Sequence, residues 1–245
     1  RVLNTSICLG GKTETVIPVT CTEQGRWRYS SATFSDSDLI MSHRSRALKA
    51  RTVTDSLQRE QDYSSDQGRI WTGIRNLHRE AGTTSTTLAM RDVYTAKIQD
   101  LDAYSAAFDC ASHQRGSLVF VNGQPVGLDM VSREDAYAAL HPKLVKSYAL
   151  DALLQTQEKF DAPSVAKART FLGEAEACEE SRFESVGEGY DYRFEGATIV
   201  GSALVFQESV IHLALFRMDK AERSEYMAGY QQRRGFRLRE RSKES

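Results

Sequence analysis

Between Gly116 and Val131 the chain reads GSLVFVNGQPVGLDMV, and no other stretch constrains the fold as tightly. The apolar run Leu118 to Val121 meets Asn122-Gly123, after which Val126, Leu128 and Met130 alternate with other residues. Asn and Gly both tolerate the positive φ that a two-residue hairpin turn demands, so two antiparallel strands are expected here. Two further apolar runs, Thr198 to Phe206 and Val210 to Phe216, are long and nearly continuous, as strands at the centre of a sheet would be. The segment GSALVFQESVIHLALF from Gly201 aligns without gaps on the one from Gly116 as apolar, turn, apolar. Duplication and simple likeness between two hairpins both account for that match.

Shorter β signals open the chain at Arg1 to Cys8 and Glu14 to Thr20, on either side of Gly10-Gly11. Pro18 has no N–H to donate, which assigns the second of these to an edge or a bulge. The Ser- and Asp-rich segment Ser30 to Asp38 reads as a loop, and the middle of the chain beyond it is mainly helical. Leu39 to Arg59 is a polar helix, and Asp66 to Glu80 carries Ile70, Ile74 and Leu77 at helical spacing. Leu88 to Ala111 continues the helical pattern after a breaker at Gly82 to Thr87. Ser132 with Asp135 three residues on fits a helix start, and that helix runs through Tyr137, Leu144 and Leu153 with a step at His141-Pro142. A last helix is expected around Ser164 to Ala177, followed by punctuation at Gly187, Gly189 and Gly196.

These elements predict one α+β domain over residues 1–216. Its sheet is largely antiparallel, built from the N-terminal strands, the Asn-Gly hairpin and the C-terminal strands, and covered by helices from the middle of the chain. Parallel βαβ units are disfavoured because the strands cluster as hairpins. Residues 217–245 read as a charged, Arg-rich helix or flexible tail. The chain opens with Arg1 and runs directly into a hydrophobic pattern, so an upstream piece is expected to be missing.

The formal net charge of −1 removes any global electrostatic case for nucleic acid or an anionic membrane. No run approaches the roughly 18 apolar residues of a membrane span. Cys8, Cys21, Cys110 and Cys178 are scattered with no C-x-x-C pair, which reads as reduced thiols in a cytoplasmic protein, with no metal expected. The phosphate-binding G-x-x-x-x-G-K-[ST], the dinucleotide G-x-G-x-x-G, the zinc motif H-E-x-x-H and the nucleophile motif G-x-S-x-G are all missing, so no motif assigns a cofactor. A lone nucleophile at Cys21 has no evident His partner.

Candidate chemistry concentrates after the second β signal. Glu23, Gln24, Arg26 and Trp27 crowd around Gly25, and could hold a planar or anionic ligand, the guanidinium forking onto phosphate and the indole stacking on a base. A structural turn, with Glu23 paired to an arginine and Trp27 in the core, explains them equally. Arg44, Arg46, Lys49 and Arg51 form a basic run, with Arg44 and Arg51 near one helical face and Lys49 elsewhere, either an anion cradle or a solvated face. Asp66 is a natural N-cap, and Trp71 behind it is core or a second wall of the same pocket. His212 inside an apolar strand is a general base or a hydrogen-bonded core residue. Tyr148 and Asp151 make an i, i+3 pair, and the side to which Asp129 faces depends on register.

RVLNTSI, ETVIPVTCTEQGRWRY, SHRSRALKA, DQGRIW, GSLVFVNGQPVGLDMV, SYALDAL and GSALVFQESVIHLALF, in that order, resemble the bacterial ARG and Rhodanese-Phosphatase-superfamily-associated domain family, where ARG stands for ADP-ribosylglycohydrolase. The middle helices from Leu88 and the basic tail match less closely, and family members start further upstream with an acidic segment. The resemblance implies a link to ADP-ribose and phosphate-transfer proteins without implying an activity. The functional expectation is a domain that binds or processes a small anionic nucleotide or ADP-ribose-like ligand. Glu23 is then the acid or base, Arg26 with Arg44 or Arg46 holds phosphate, and Trp27 stacks. The alternative is a non-enzymatic module that docks a protein partner.

Overall fold

A computed structural model describes residues 1–25, 38–60, 62–155 and 161–218. In chain order its strands are β1 (Val2–Leu3), β2 (Val19–Thr20), β3 (Gly116–Val121), β4 (Gln124–Val131), β5 (Glu179–Glu184), β6 (Tyr190–Glu195), β7 (Ile199–Phe206) and β8 (Ser209–Arg217). The helices are α1 (His43–Glu60), α2 (Gln67–Ala81), α3 (Met90–Ala96), α4 (Ile98–Ala107), α5 (Glu134–Leu154) and α6 (Val165–Glu176). This is the expected α+β architecture: a six-stranded antiparallel sheet of order β3-β4-β8-β7-β6-β5 covered by helices.

Both long hairpins form, and their second strands pair at the centre of the sheet. Asp129 lies opposite Ala214, with Leu128 opposite Leu215 and Met130 opposite Leu213. In the gap-free alignment Asp129 also matches Ala214, so a local two-fold axis passes through this pair. The likeness extends to detail. Register shifts fall between Val119 and Phe120 and between the equivalent Leu204 and Val205. The turns take positive φ at Asn122 (51°) and Gly123 (71°), and again at Gln207 (48°) and Glu208 (61°).

Alternation along the strands sorts the faces. Gly127, Asp129 and Val131 of β4 share the inner face with His212, Ala214 and Phe216 of β8, and α1 and α5 cover it. The outer face is apolar: Phe171 of α6 packs with Ile199 and Leu215. Helices α2, α3 and α4 add a second layer through Ile70, Ile74, Val93, Tyr94 and Leu101, which meet Leu150 of α5. The polar residues of the central strands are therefore enclosed between sheet and helix. Gly127 makes room for this, since a Cβ there would come 2.5 Å from the Tyr148 hydroxyl oxygen. Gly127→Ala is expected to cost about 1–3 kcal/mol, read as a lower urea midpoint; an unchanged midpoint would show that Tyr148 can withdraw.

Five sequence expectations need correction. The N-terminal β signals do not join the main sheet. Val2–Leu3 and Val19–Thr20 pair as a separate two-stranded sheet, Cys8 makes a lone bridge with Glu188, and Asn4, Thr5 and Ser6 between them bond through their side chains into the interior. Strands β5 and β6 were hidden behind glycine punctuation, and β5 is a charged edge with alternate residues exposed. The helix expected over Leu88 to Ala111 divides at Lys97, whose φ of −111° leaves the helical range. Conversely α5 runs past Pro142, because Tyr137 and Leu144 on either side both pack with Val131 of the sheet. Strand β8 extends to Arg217, and the Met218 N–H donates to the Thr198 carbonyl; the tail from 219 lies outside the described residues.

Candidate functional site

Helix α1 divides the polar interior. Arg44 and Arg46 are two residues apart, about 200° around the helix, so they leave it on opposite sides. Arg44 turns toward α5 and α2, where its Nε donates to Asp151 Oδ1 at 2.9 Å and its guanidinium meets Glu80. His43 Nδ1 lies 2.6 Å from the same carboxylate, and the His43 ring stacks on Tyr148 at 5.2 Å. Asp151 is 0 % exposed. Burial alone would raise its pKa, but His43 and Arg44 outweigh burial and hold the carboxyl below its usual range.

On the other side Arg46 forks onto Asp129, also 0 % exposed, with Nη1 donating to Oδ2 at 3.0 Å. The Tyr148 hydroxyl donates to the same oxygen at 2.7 Å, and the guanidinium lies 4.7 Å from the centre of the Phe216 ring. Burial again opposes the charge, yet the Arg46 guanidinium and the Tyr148 hydroxyl keep Asp129 ionised below the ordinary carboxylate range.

One turn along α1 the arrangement opens. Lys49 shares Arg46's side of the helix, and its Nζ donates to the Leu3 carbonyl. The N-terminal segment crosses the inner face here: Ser6 Oγ shares a hydrogen bond with His212 Nδ1, and Thr5 binds Asp191. Arg193 of β6 donates through Nη2 to Thr5 Oγ1 at 2.9 Å and to Asp191 Oδ2 at 2.7 Å. Thr5, Asp191 and Arg193 are buried, whereas Ser6, Lys49 and His212 each keep part of their surface in solvent. Burial, with Arg46 and Arg193 adding like charge, lowers the Lys49 pKa to about 7. Burial also lowers that of His212, outweighing Asp129, and Arg46 and Lys49 act in the same direction. Burial raises the Asp191 pKa, outweighing Arg193, so near neutrality the centre holds Arg46, Arg193 and a partly protonated Lys49 against the Asp129 carboxylate, with a neutral imidazole beside them.

The sequence-predicted residues fall into two groups on either side of α1. Along α2, the Gln24 amide oxygen accepts from Arg75 Nη1 at 2.7 Å, five residues or about 7.5 Å of helix rise from Glu80, the partner of Arg44. Glu23 forms a β-bridge with Ala89 that ties its loop to the start of α3. Asp66 caps α2, its Oδ1 accepting from the Arg69 N–H at 3.0 Å. Trp71 packs against the helical core, with its indole N–H buried and lacking a hydrogen-bond partner among the described residues. Arg46 and His212 lie in the second group, under α1. Arg26 and Trp27 fall outside the described residues. Both Arg44 and Arg46 are forked onto carboxylates, so they supply field more than free donors.

Sequence reasoning passed over Ser6 and did not join Lys49 to His212. The i, i+3 pair Tyr148 and Asp151 is the part of this centre that the sequence flags, and the matching spacing of Arg46 and Lys49 is a signal that could have found the rest. Among the described residues, no group of three or more His, Cys, Asp or Glu is arranged to hold a metal ion. No helix among them is long and apolar enough to cross a membrane.

An antiparallel sheet with helices on both faces, enclosing a polar centre beneath its first helix, defines the class of domain. The family model described as ARPP-1, the ARG and Rhodanese-Phosphatase-superfamily-associated Protein domain, matches residues 1–216, and the chain belongs to that family. No curated protein and no solved structure matches it.

Proposed function

We propose that this domain binds a small anionic ligand at the opening formed by Ser6, Lys49 and His212. The supporting observation is the placement of Lys49: it sits within the repulsion of Arg46 and Arg193 and, among the described residues, hydrogen-bonds to a backbone carbonyl instead of a carboxylate. A bound anion relieves that repulsion, which is where binding energy would come from. The family description ties the domain by association to ARG proteins, which makes ADP-ribose and related nucleotides the first ligands to test. In this reading Ser6 and His212 are the groups able to move a proton, and the Glu23–Gln24 loop with Asp66 and Trp71 along α2 is a separate candidate surface.

Calorimetric titration with inorganic phosphate, AMP and ADP-ribose tests it. At least one of these should bind, with affinity declining between pH 6 and 8 as the Lys49 ammonium loses its proton at about 7. Lys49→Met should weaken that binding about tenfold or more, equivalent to roughly 1.4 kcal/mol. Equal binding by the variant, or no binding of any of the three by the native chain, would overturn the proposal.

A further inference from the structure

We propose that Lys49 is a covalent capture site, its amine condensing with the carbonyl carbon of a small aldehyde that also carries a phosphate or carboxylate. The inference rests on the anion-binding reading above and adds a chemical class of ligand to it.

A carboxylate beside a lysine favours its charged, unreactive form. Lys49 ends on the Leu3 carbonyl. A neutral amine can still donate one N–H to that carbonyl and keep its lone pair for attack. The charged and titratable groups that act on it are Arg46 on its own helix and Arg193 on β6, and His212 on β8 feels its charge; Asp129 and Asp191 stand behind them as the partners of the two guanidiniums. The two guanidiniums favour loss of its proton, and the two carboxylates are already engaged by those guanidiniums. With a pKa of about 7, the neutral fraction at neutral pH exceeds that of an ordinary lysine by about a thousandfold. Desolvation beside other cations is an established way to make a lysine nucleophilic.

The steps balance without an external oxidant or reductant. The Nζ lone pair forms a bond to the carbonyl carbon as the C=O π bond breaks, and one of the two amine protons passes to the oxygen, giving a neutral carbinolamine. The nitrogen gives up a proton, the hydroxyl departs as water, and a C=N bond remains. His212, neutral near pH 7, can take the nitrogen proton and return it to the departing hydroxyl, and Ser6, bonded to its ring, can relay. A protonated imine would renew the positive charge between Arg46 and Arg193. An anionic group on the ligand offsets that charge, which is why an uncharged aldehyde should serve poorly.

The test is reductive trapping of the full chain with glycolaldehyde phosphate and cyanoborohydride, read by intact mass and peptide mapping. Lys49 should carry the adduct about tenfold over the exposed Lys12, with a rate that rises between pH 6 and 8 as the amine deprotonates. Inorganic phosphate should compete, and Lys49→Arg should remove the adduct. Adduct spread evenly over surface lysines, an undiminished yield in Lys49→Arg, or equal trapping of uncharged glycolaldehyde would overturn the proposal. Calorimetry without reductant separates the two claims: anion binding without trapping sinks covalent capture alone, and loss of both sinks the anion site as well.

Discussion

Asp129→Ala is expected to lower the unfolding free energy by about 3–5 kcal/mol, because it strands the Arg46 guanidinium inside the protein without its counter-charge. The Tyr148 hydroxyl loses its acceptor at the same time, a second buried polar group left unsatisfied. Urea unfolding gives the number. The double variant Asp129→Leu with Arg46→Met should recover most of the loss, since removing both charges avoids the stranded one. A single-variant loss under about 1 kcal/mol would mean that water reaches Arg46, within the range of an exposed pair. The central pair would then be no part of the interior.

Asp151→Ala should be of similar size, about 3–5 kcal/mol by the same reasoning, though its cause includes the backbone. Asp151 Oδ2 accepts the Arg44 main-chain N–H at 3.1 Å, one of the donors left open in the first turn of α1. Ser42 lies just before that turn, with its Oγ 3.4 Å from the Ser45 nitrogen. The carboxylate from α5 therefore caps α1 from outside and places negative charge at its positive end. Asp129 and Asp151 both have folded-state pKa values below the usual range, so their contribution is complete above the unfolded value of roughly 3.9. It disappears as the pH falls through the lower folded-state values. Asp151→Asn should remove its share of that acid sensitivity and shift acid unfolding measured by circular dichroism. An acid transition identical to that of the native chain would show that the carboxylate is not what titrates.

The hairpins and most helices were legible because their signals are local: a turn dipeptide, a period of two, a period near 3.6. Strands β1 and β2 were over-read, since β-branched residues favour extended chain without saying whether the neighbour is a strand or a side chain such as Asp191. Strand β6 was under-read because Asp191 and Arg193 are charged yet buried, and their burial depends on each other and on Thr5. The site was legible in parts. His212 and Arg46 were named, but their juxtaposition depends on which strands are neighbours, which no short-range pattern carries. Asp129 shows this most plainly: its inward direction is set by its register with Ala214, a residue far away in the chain.

Half-turn equivalence of the two central strands leaves their ionisable groups unmatched. Rotation exchanges Asp129 with Ala214 and His212 with Gly127, so each ionisable group faces, in its counterpart's seat, a residue with almost no side chain. The seat at Gly127 is occupied from outside, by the Tyr148 hydroxyl. A nearly duplicated scaffold thus carries each reactive group once: the helix lying across it meets the acid through Arg46, and the N-terminal segment meets the imidazole through Ser6.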